Sequence, residues 1–185
     1  RGAYIITAFS GIITLLIIGH WLGWNLFWIK FPGFFFAFLS AIYTAFLFKQ
    51  AKGRDYWQSP LLWMHMLIHA LMAGTVILLI FGSNSVKQLI GFLIGLISLN
   101  LILLVIETLV PHRSIDYRKT VFMMKRGYFF LWFAAGILIG NLLPLLMIVG
   151  NHGNSITILA GLLVLIGIFL TEYVRVYAPQ VVSLS

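Results

Sequence analysis

The stretch Lys49-Gln50-Ala51-Lys52-Gly53-Arg54-Asp55-Tyr56-Trp57-Gln58-Ser59-Pro60 runs directly into Leu61-Leu62-Trp63-Met64-His65-Met66-Leu67-Ile68-His69-Ala70-Leu71-Met72-Ala73-Gly74, and together they decide how the chain is read. The first part is a charged, glycine-containing loop closed by Pro60, which suits the first turn of a helix. The second part is apolar except for two histidines. Long apolar segments lie on both sides, so the loop reads as a link between two helices that cross a membrane.

Composition supports that reading. The chain has 185 residues, of which 62% are hydrophobic and 9% charged. A soluble domain carries about 25% charged residues, so a surface this poor in charge needs lipid as its solvent. There is no cysteine, which excludes a cysteine-ligated iron–sulfur cluster, a thiolate metal site or a disulfide framework on this chain. The net charge of +8 does not point to nucleic acid, because the basic residues sit at segment ends, as orientation signals do. The first residue is Arg1 rather than Met, and the first apolar run starts almost at once. A preceding N-terminal part of the natural chain is therefore expected. The opening residues do not resemble a signal peptide, since the run is long and has no small-residue cleavage site.

Six apolar segments are expected to be helices, at about 4–27, 34–49, 60–82, 86–109, 127–149 and 155–177, most of them reaching the ~20 residues that span the hydrocarbon. None alternates as a barrel strand would, and in lipid the backbone must satisfy its own polar groups. The expected fold is an all-α integral membrane domain, a single antiparallel bundle of six transmembrane helices. The connections at Ile29–Gly33, Gly82–Ser85 and Gly150–Asn154 are short; those at 50–59 and 110–126 are longer. Ten of the twelve Lys and Arg residues fall on one side (Arg1, Lys49, Lys52, Arg54, Arg113, Arg118, Lys119, Lys125, Arg126 and Arg175), against Lys30 and Lys87 on the other. The positive-inside rule then makes loops 50–59 and 110–126 cytoplasmic and places the turns near Lys30, Asn84 and His152 outside. Trp21, Trp24 and Trp28 would form an outer aromatic belt, with Trp57 and Trp63 near the inner interface. Gly91 and Gly95, and Gly136 and Gly140, have the four-residue spacing that permits close helix approach.

Ionisable residues inside the apolar segments carry the functional signal, since each costs at least ~2.5 kcal/mol at mid-membrane unless paired or hydrated. His65 and His69 share a helix face, about one and two turns from the inner surface. They read either as a proton-relay face near a quinone or as interhelical hydrogen-bonding groups. A bis-histidine haem is disfavoured, because one helix face cannot supply ligands on opposite sides of an iron. Glu107 reads as a group on a proton path or as an interfacial carboxylate paired with Arg113. Glu172 and Arg175, three apart, can form a structural ion pair, and Glu172 is a second acid on the same path. Tyr43 is a candidate hydrogen-bond donor to a quinone carbonyl or a core tyrosine. His20, Trp24 and Asn25, at the outer end of the first helix, combine aromatic faces with polar tips. They could line a quinone pocket or anchor the helix at the interface. Asn141 and Pro144 interrupt the fifth helix, where a kink is expected. No nucleotide loop, catalytic carboxylate pair or metal-ligand cluster is present.

At these residues the chain resembles a known family. Ile42-Tyr43-Thr44-Ala45-Phe46-Leu47-Phe48, followed by Gly53-Arg54-Asp55-Tyr56-Trp57-Gln58-Ser59-Pro60-Leu61-Leu62, is similar to the NrfD/PsrC family of membrane subunits of polysulfide reductase-like complexes. The likeness continues through Gly127-Tyr128, Phe133 and Gly136–Pro144 to Tyr173–Gln180, where Pro179 stands in place of a family glycine. The resemblance implies the C-terminal part of an eight- or ten-helix subunit, with its N-terminal helices missing here. It also implies a bacterial or archaeal inner (plasma) membrane and a bound menaquinone or ubiquinone, without haem on this chain. Implied partners are an iron–sulfur, ferredoxin-like subunit, molybdoenzyme-like or cytochrome c-containing subunits, and other membrane subunits. The family includes the membrane subunits of alternative complex III, a quinol oxidase. The expected function is thus a quinone-binding subunit of a respiratory oxidoreductase, with proton translocation a further possibility. A purely structural anchor for a peripheral redox enzyme is the alternative. A transporter would show corresponding broken helices in two repeated halves, and only the Asn141–Pro144 interruption is seen.

Overall fold

The computed structural model describes residues 2–82, 86–109, 114–150 and 153–182 of the chain. Arg1, Asn84, Arg113 and His152 lie outside the described residues. Those described form an all-α fold with six helices long and apolar enough to cross a membrane. Eight helical pieces follow in order: α1 Gly2–Trp21, α2 Lys30–Phe48, α3 Leu62–Ile80, α4 Val86–Leu109, α5 Ile115–Lys125, α6 Phe130–Ile137, α7 Leu143–Gly150 and α8 Asn154–Val181. α6 and α7 are two parts of one span, Phe130–Gly150.

Local chemistry explains where the helices depart from the expected bounds. α1 stops at Trp21 because Gly23 takes a positive φ of 70°. Trp24 N then donates to Gly19 O and Gly23 N to His20 O, a Schellman closure that only glycine enters without strain. α2 begins earlier than the sequence suggested, at Lys30. Pro32 falls in its first turn, where a missing N–H costs nothing. The connection at 110–126, expected to be a loop, contains α5 instead. Its N-cap is Ser114, whose side chain accepts from Tyr117 N, with Asp116 in the first turn and Lys125 in the last. Each favours a short helix.

The kink expected at Pro144 takes a specific form. Pro144 cannot donate to the Gly140 carbonyl one turn earlier, and the five residues Leu138–Leu142 widen into a π-helical segment between α6 and α7. Asn141 lies in this segment and is buried.

α3 packs on α2, α4 and α8, while α8 packs on α3, α5, α6, the π segment and α7. α3, α4 and α8 together carry most of the interior. α1 packs on α2, and this hairpin presents Trp21, Phe31, Phe34 and other large apolar side chains outward, as a lipid-facing surface does. The aromatic residues Trp21, Trp24 and Trp28 are exposed as expected of a belt, whereas Trp57 is buried.

The glycine pairs divide. A Cβ on Gly140 would lie 2.3 Å from Gly167 Cα, and one on Gly136 would lie 2.7 Å from Thr171 Cγ2. This is a backbone-to-backbone crossing of α8 with α6 and the π segment. By contrast, a Cβ on Gly91 or Gly95 would meet nothing within 4 Å, so their spacing is not a helix contact within this chain. Gly140→Ala is therefore expected to destabilise the bundle by about 1–3 kcal/mol or more, the cost of overpacking. Gly91→Ala is expected to be neutral or slightly stabilising, as a helix-interior glycine replaced by alanine. Thermal unfolding of the two variants in detergent distinguishes them.

Candidate functional site

The site is a network of ionisable side chains enclosed by α3, α4 and α8, with Arg175 of α8 at its centre. Arg175 is 1% exposed. Its Nη1 donates to Glu172 Oε1 at 3.2 Å, and its Nη2 donates to Glu107 Oε2 at 3.3 Å. Nη2 is also 2.9 Å from His65 Nδ1. An arginine only donates, so His65 Nδ1 accepts and the ring proton is assigned to Nε2. That nitrogen lies 3.2 Å from Glu107 Oε2, without a well-aligned hydrogen bond. His69 Nδ1 is 2.5 Å from Glu172 Oε1. His65, His69, Glu107 and Glu172 are thus drawn into one cluster, and the Glu172–Arg175 pair is formed.

One of the two readings of Glu107 pairs it with Arg113, which lies outside the described residues; the Glu107 side chain itself is turned inward. Glu107 is 4% exposed and has Arg175, His65 and the Tyr56 hydroxyl around it, the last donating to Oε1 at 2.9 Å. It is enclosed by protein side chains rather than extended to the surface. Arg175 was counted among the basic residues that orient the chain, and it too is buried rather than interfacial.

Sequence reading missed how the loop at 50–59 serves this cluster. Pro179 lies one turn beyond Arg175 and cannot donate to its carbonyl. α8 nevertheless continues through it to Val181, and the freed Arg175 carbonyl accepts from Trp57 Nε1 at 3.1 Å. Arg54 Nη1 donates to Pro179 O at 2.7 Å and to Val182 O at 2.6 Å, satisfying carbonyls at the helix end. Asp55 accepts from the Ser114 hydroxyl, tying the loop to the start of α5. Arg54 and Trp57 therefore fasten the C-terminal turns of α8, and Tyr56 ties the loop to α4. A proline four residues after an arginine, with a tryptophan in a distant charged loop, was the only sequence signal available.

A second polar layer lies deeper. Asn100 of α4 donates from Nδ2 to Asn141 Oδ1 at 2.8 Å, and Asn141 Nδ2 donates to Gly136 O at 3.3 Å. Asn100 Oδ1 is 3.4 Å from His65 Nδ1, so this pair adjoins the ionic cluster. Asn100 was not singled out from the sequence, because one asparagine in an apolar helix has no partner visible at short range.

Of the candidate quinone residues, His20, Trp24 and Asn25 come together. With Leu16, Phe27 and Lys30 they line an open groove of about 210 Å³. Leu16 and His20 also line a neighbouring apolar groove of about 380 Å³ with Ile13, Ile17 and Trp21. Tyr43 is not part of either. Its ring sits against Gly2 at the far end of the α1–α2 hairpin, close enough that a Cβ there would overlap it. From Lys30, Tyr43 is thirteen residues along α2, about 20 Å at 1.5 Å per residue. Among the described residues, no group of three or more His, Asp or Glu side chains is placed to hold a metal ion.

No family model, curated protein or solved structure matches this chain. What the arrangement can do chemically follows from its own charges. Glu107 and Glu172 bring two negative charges and Arg175 one positive, so with both imidazoles neutral the cluster holds one charge in excess. The imbalance sits among titratable side chains, two imidazoles and two carboxylates.

Tyr56 and Tyr117, in the loop and α5, stack at 5.3 Å between ring centroids. Burial, then the Glu107 charge, pushes both phenols above the usual tyrosine range. In the folded chain they keep their protons at pH values where an unfolded chain loses them, above about pH 10. Their contribution to stability is complete below that value and falls as the pH rises further. Tyr56→Phe is expected to flatten the alkaline decline in unfolding temperature measured between pH 9 and pH 11.

Removing Arg175 while leaving both carboxylates is expected to cost about 3–5 kcal/mol, as breaking a buried ion pair does. Arg175→Met/Glu107→Gln is expected to recover part of that loss, because fewer uncompensated charges remain. Denaturant unfolding of the single and double variants in detergent gives the coupling.

Proposed function

We propose that this chain is a quinone- or quinol-binding membrane subunit of a respiratory oxidoreductase complex, exchanging electrons with an iron–sulfur partner subunit. The observation that carries the reading is the His65–His69–Glu107–Glu172–Arg175 network inside a lipid-exposed bundle. Quinone chemistry moves two electrons with two protons and needs a group that takes up or releases protons within the membrane. A purely structural anchor needs no such group, and apolar residues in its place are often more stable. Intramembrane ionisable clusters are characteristic of proton relays.

The groove lined by His20, Trp24 and Asn25 is the pocket we assign to the quinone ring. Its imidazole and carboxamide can donate to a quinone carbonyl, Trp24 and Phe27 offer aromatic faces, and the adjoining apolar groove suits an isoprenoid tail. His65, His69, Glu107 and Glu172 form the proton path on the basic side, which we place in the cytoplasm of a bacterial or archaeal cell by the positive-inside rule. In this reading the chain belongs to the NrfD/PsrC family, as its Gly53–Pro60 loop suggests, and carries menaquinone or ubiquinone as bound substrate. A molybdoenzyme-like or cytochrome c-containing subunit would complete the complex.

His69→Leu is the direct test, in the complex isolated with its partners. Quinol turnover, or the protons moved per quinol, is expected to fall at least tenfold with the subunit composition unchanged. Unaltered turnover and coupling would remove His69 from the mechanism. Absence of inhibition by a quinone analogue, together with unchanged turnover in His20→Ala, would favour the structural anchor.

A further inference from the structure

α5 is not explained by the proton network. Its inward face, Tyr117, Thr120 and Met124, packs into the bundle. Its outward face is mixed: Ile115 and Phe122 are 57% and 60% exposed, and between them Arg118 and Lys119 are exposed. The spacing 115, 118, 119, 122 puts all four on one side of the helix. Apolar side chains bracketing cations on an exposed face are the pattern of a helix lying at the boundary between hydrocarbon and headgroups. The chain position agrees, since α5 links the end of one span to the start of the next.

Beside this face runs an open groove of about 650 Å³, between α5 and the last residues of α8. Ile115 and Phe122 on one wall and Val181 and Val182 on the other make it apolar, with Arg118 and Lys119 at its rim. The α8 wall is held in place, because Arg54 bonds the carbonyls of Pro179 and Val182 and leaves the valine side chains to line the groove. Charge on this segment is predominantly positive. From Ile115 to Arg126 the chain carries Arg118, Lys119, Lys125 and Arg126 against Asp116 alone. Lys125 donates to Thr108 O at 2.6 Å. Lys119 is 3.8 Å from Asp116 and half exposed, and Arg118 has no partner among the described residues.

We propose that this groove binds an anionic phospholipid of the leaflet on the basic side of the membrane. The phosphodiester sits between Arg118 and Lys119, and an acyl chain runs along Phe122 and Val181. Charge complementarity selects the headgroup, and the apolar walls select a lipid over a soluble phosphate. Basic pockets between membrane helices at this level bind anionic headgroups by the same combination. The inference requires only that the helices span a membrane and is independent of the quinone reading.

Native mass spectrometry of the protein, isolated with its partners in mild detergent, tests it. Phosphatidylglycerol and phosphatidylcholine with identical acyl chains are titrated separately. Phosphatidylglycerol is expected to be retained at roughly tenfold lower concentration, the order of advantage that two cations give near an anionic headgroup. Arg118→Gln/Lys119→Gln should abolish that preference, while Lys87→Gln at the opposite end of α4 should keep it. Phe122→Ala should weaken both lipids alike. All substituted side chains are exposed, and size-exclusion chromatography verifies that each variant remains folded. Equal retention of the two lipids, or a preference that survives Arg118→Gln/Lys119→Gln, overturns the proposal. Displacement of the lipid by glycerol phosphate at matched concentration overturns it in favour of a soluble-anion site. A photo-crosslinker at position 122 that captures only protein in native membranes overturns it in favour of a subunit interface.

Discussion

An arginine inside a membrane-spanning bundle has to bring its counter-charges with it. Leaving a guanidinium unpaired in a medium that cannot hydrate it costs several kcal/mol. Arg175 meets this constraint by drawing one carboxylate from its own helix, Glu172, and one from α4, Glu107, with His65 of α3 filling a third side. Three helices are thereby fixed in rotation about their axes. If α3 or α4 turned by one residue, about 100°, a histidine or a glutamate would face lipid. The network specifies the register of the bundle whatever its net contribution to stability. The charged loop at 50–59 belongs to the same constraint. Tyr56 completes the coordination of Glu107 and Trp57 satisfies the carbonyl that Pro179 strands, so the polar groups around Arg175 are closed off by a segment that is itself outside the spans.

The second requirement is that α8 come close enough to deliver Glu172 and Arg175. The crossing at Gly140 and Gly167 does this, since any side chain at either position would meet backbone. The π segment at Leu138–Leu142 sits at the crossing. It turns Asn141 into the interior, where its carbonyl oxygen receives Asn100 Nδ2. Widened turns of this kind commonly occur at functional sites. Here the proline that starts the irregularity, the glycine that allows contact and the asparagine that faces the network lie within five residues of one another, from Gly140 to Pro144.

Much of this architecture is legible in the sequence, and the parts that are not have definite reasons. The spans follow from hydrophobic length, which is why α4 is helical throughout its expected range, Val86–Leu109. Ends set by a local closure are harder to place, as at Gly23, where the apolar run continues past the helix. The segment of α5 reads as connection because it is short and charged, yet Ser114, Asp116 and Lys125 are ordinary start and stop signals. His65, His69, Glu107 and Glu172 share a level near the basic end of the bundle, and helical spacing suffices to put them there. Apart from Glu172–Arg175, their partners could not be read. Arg113, six residues along the chain, is the nearest cation in sequence to Glu107, whereas Arg175 is sixty-eight residues away. Tyr43 and His20 were grouped by residue type, and only the packing of the α1–α2 hairpin separates them. Four-residue glycine spacing was equally present at Gly91 and Gly95, where no partner backbone approaches.

The charge count inside the bundle bears on why the network is there at all. A cluster meant only to hold helices in register would be cheapest with equal numbers of opposite charges, so that no group is left to titrate. Here the fixed charges are unequal, two carboxylates to one guanidinium, and the remainder falls on residues that can gain or lose a proton. His65 is committed on one side to a donor that never releases its protons. His69 is not: its Nδ1 faces Glu172, which is 23% exposed while His69 is 5% exposed. Among the members of the network, that pair joins two titratable side chains to partial access to the surroundings. Register alone would need neither the unequal charge count nor that access, and the proton-path reading rests on both.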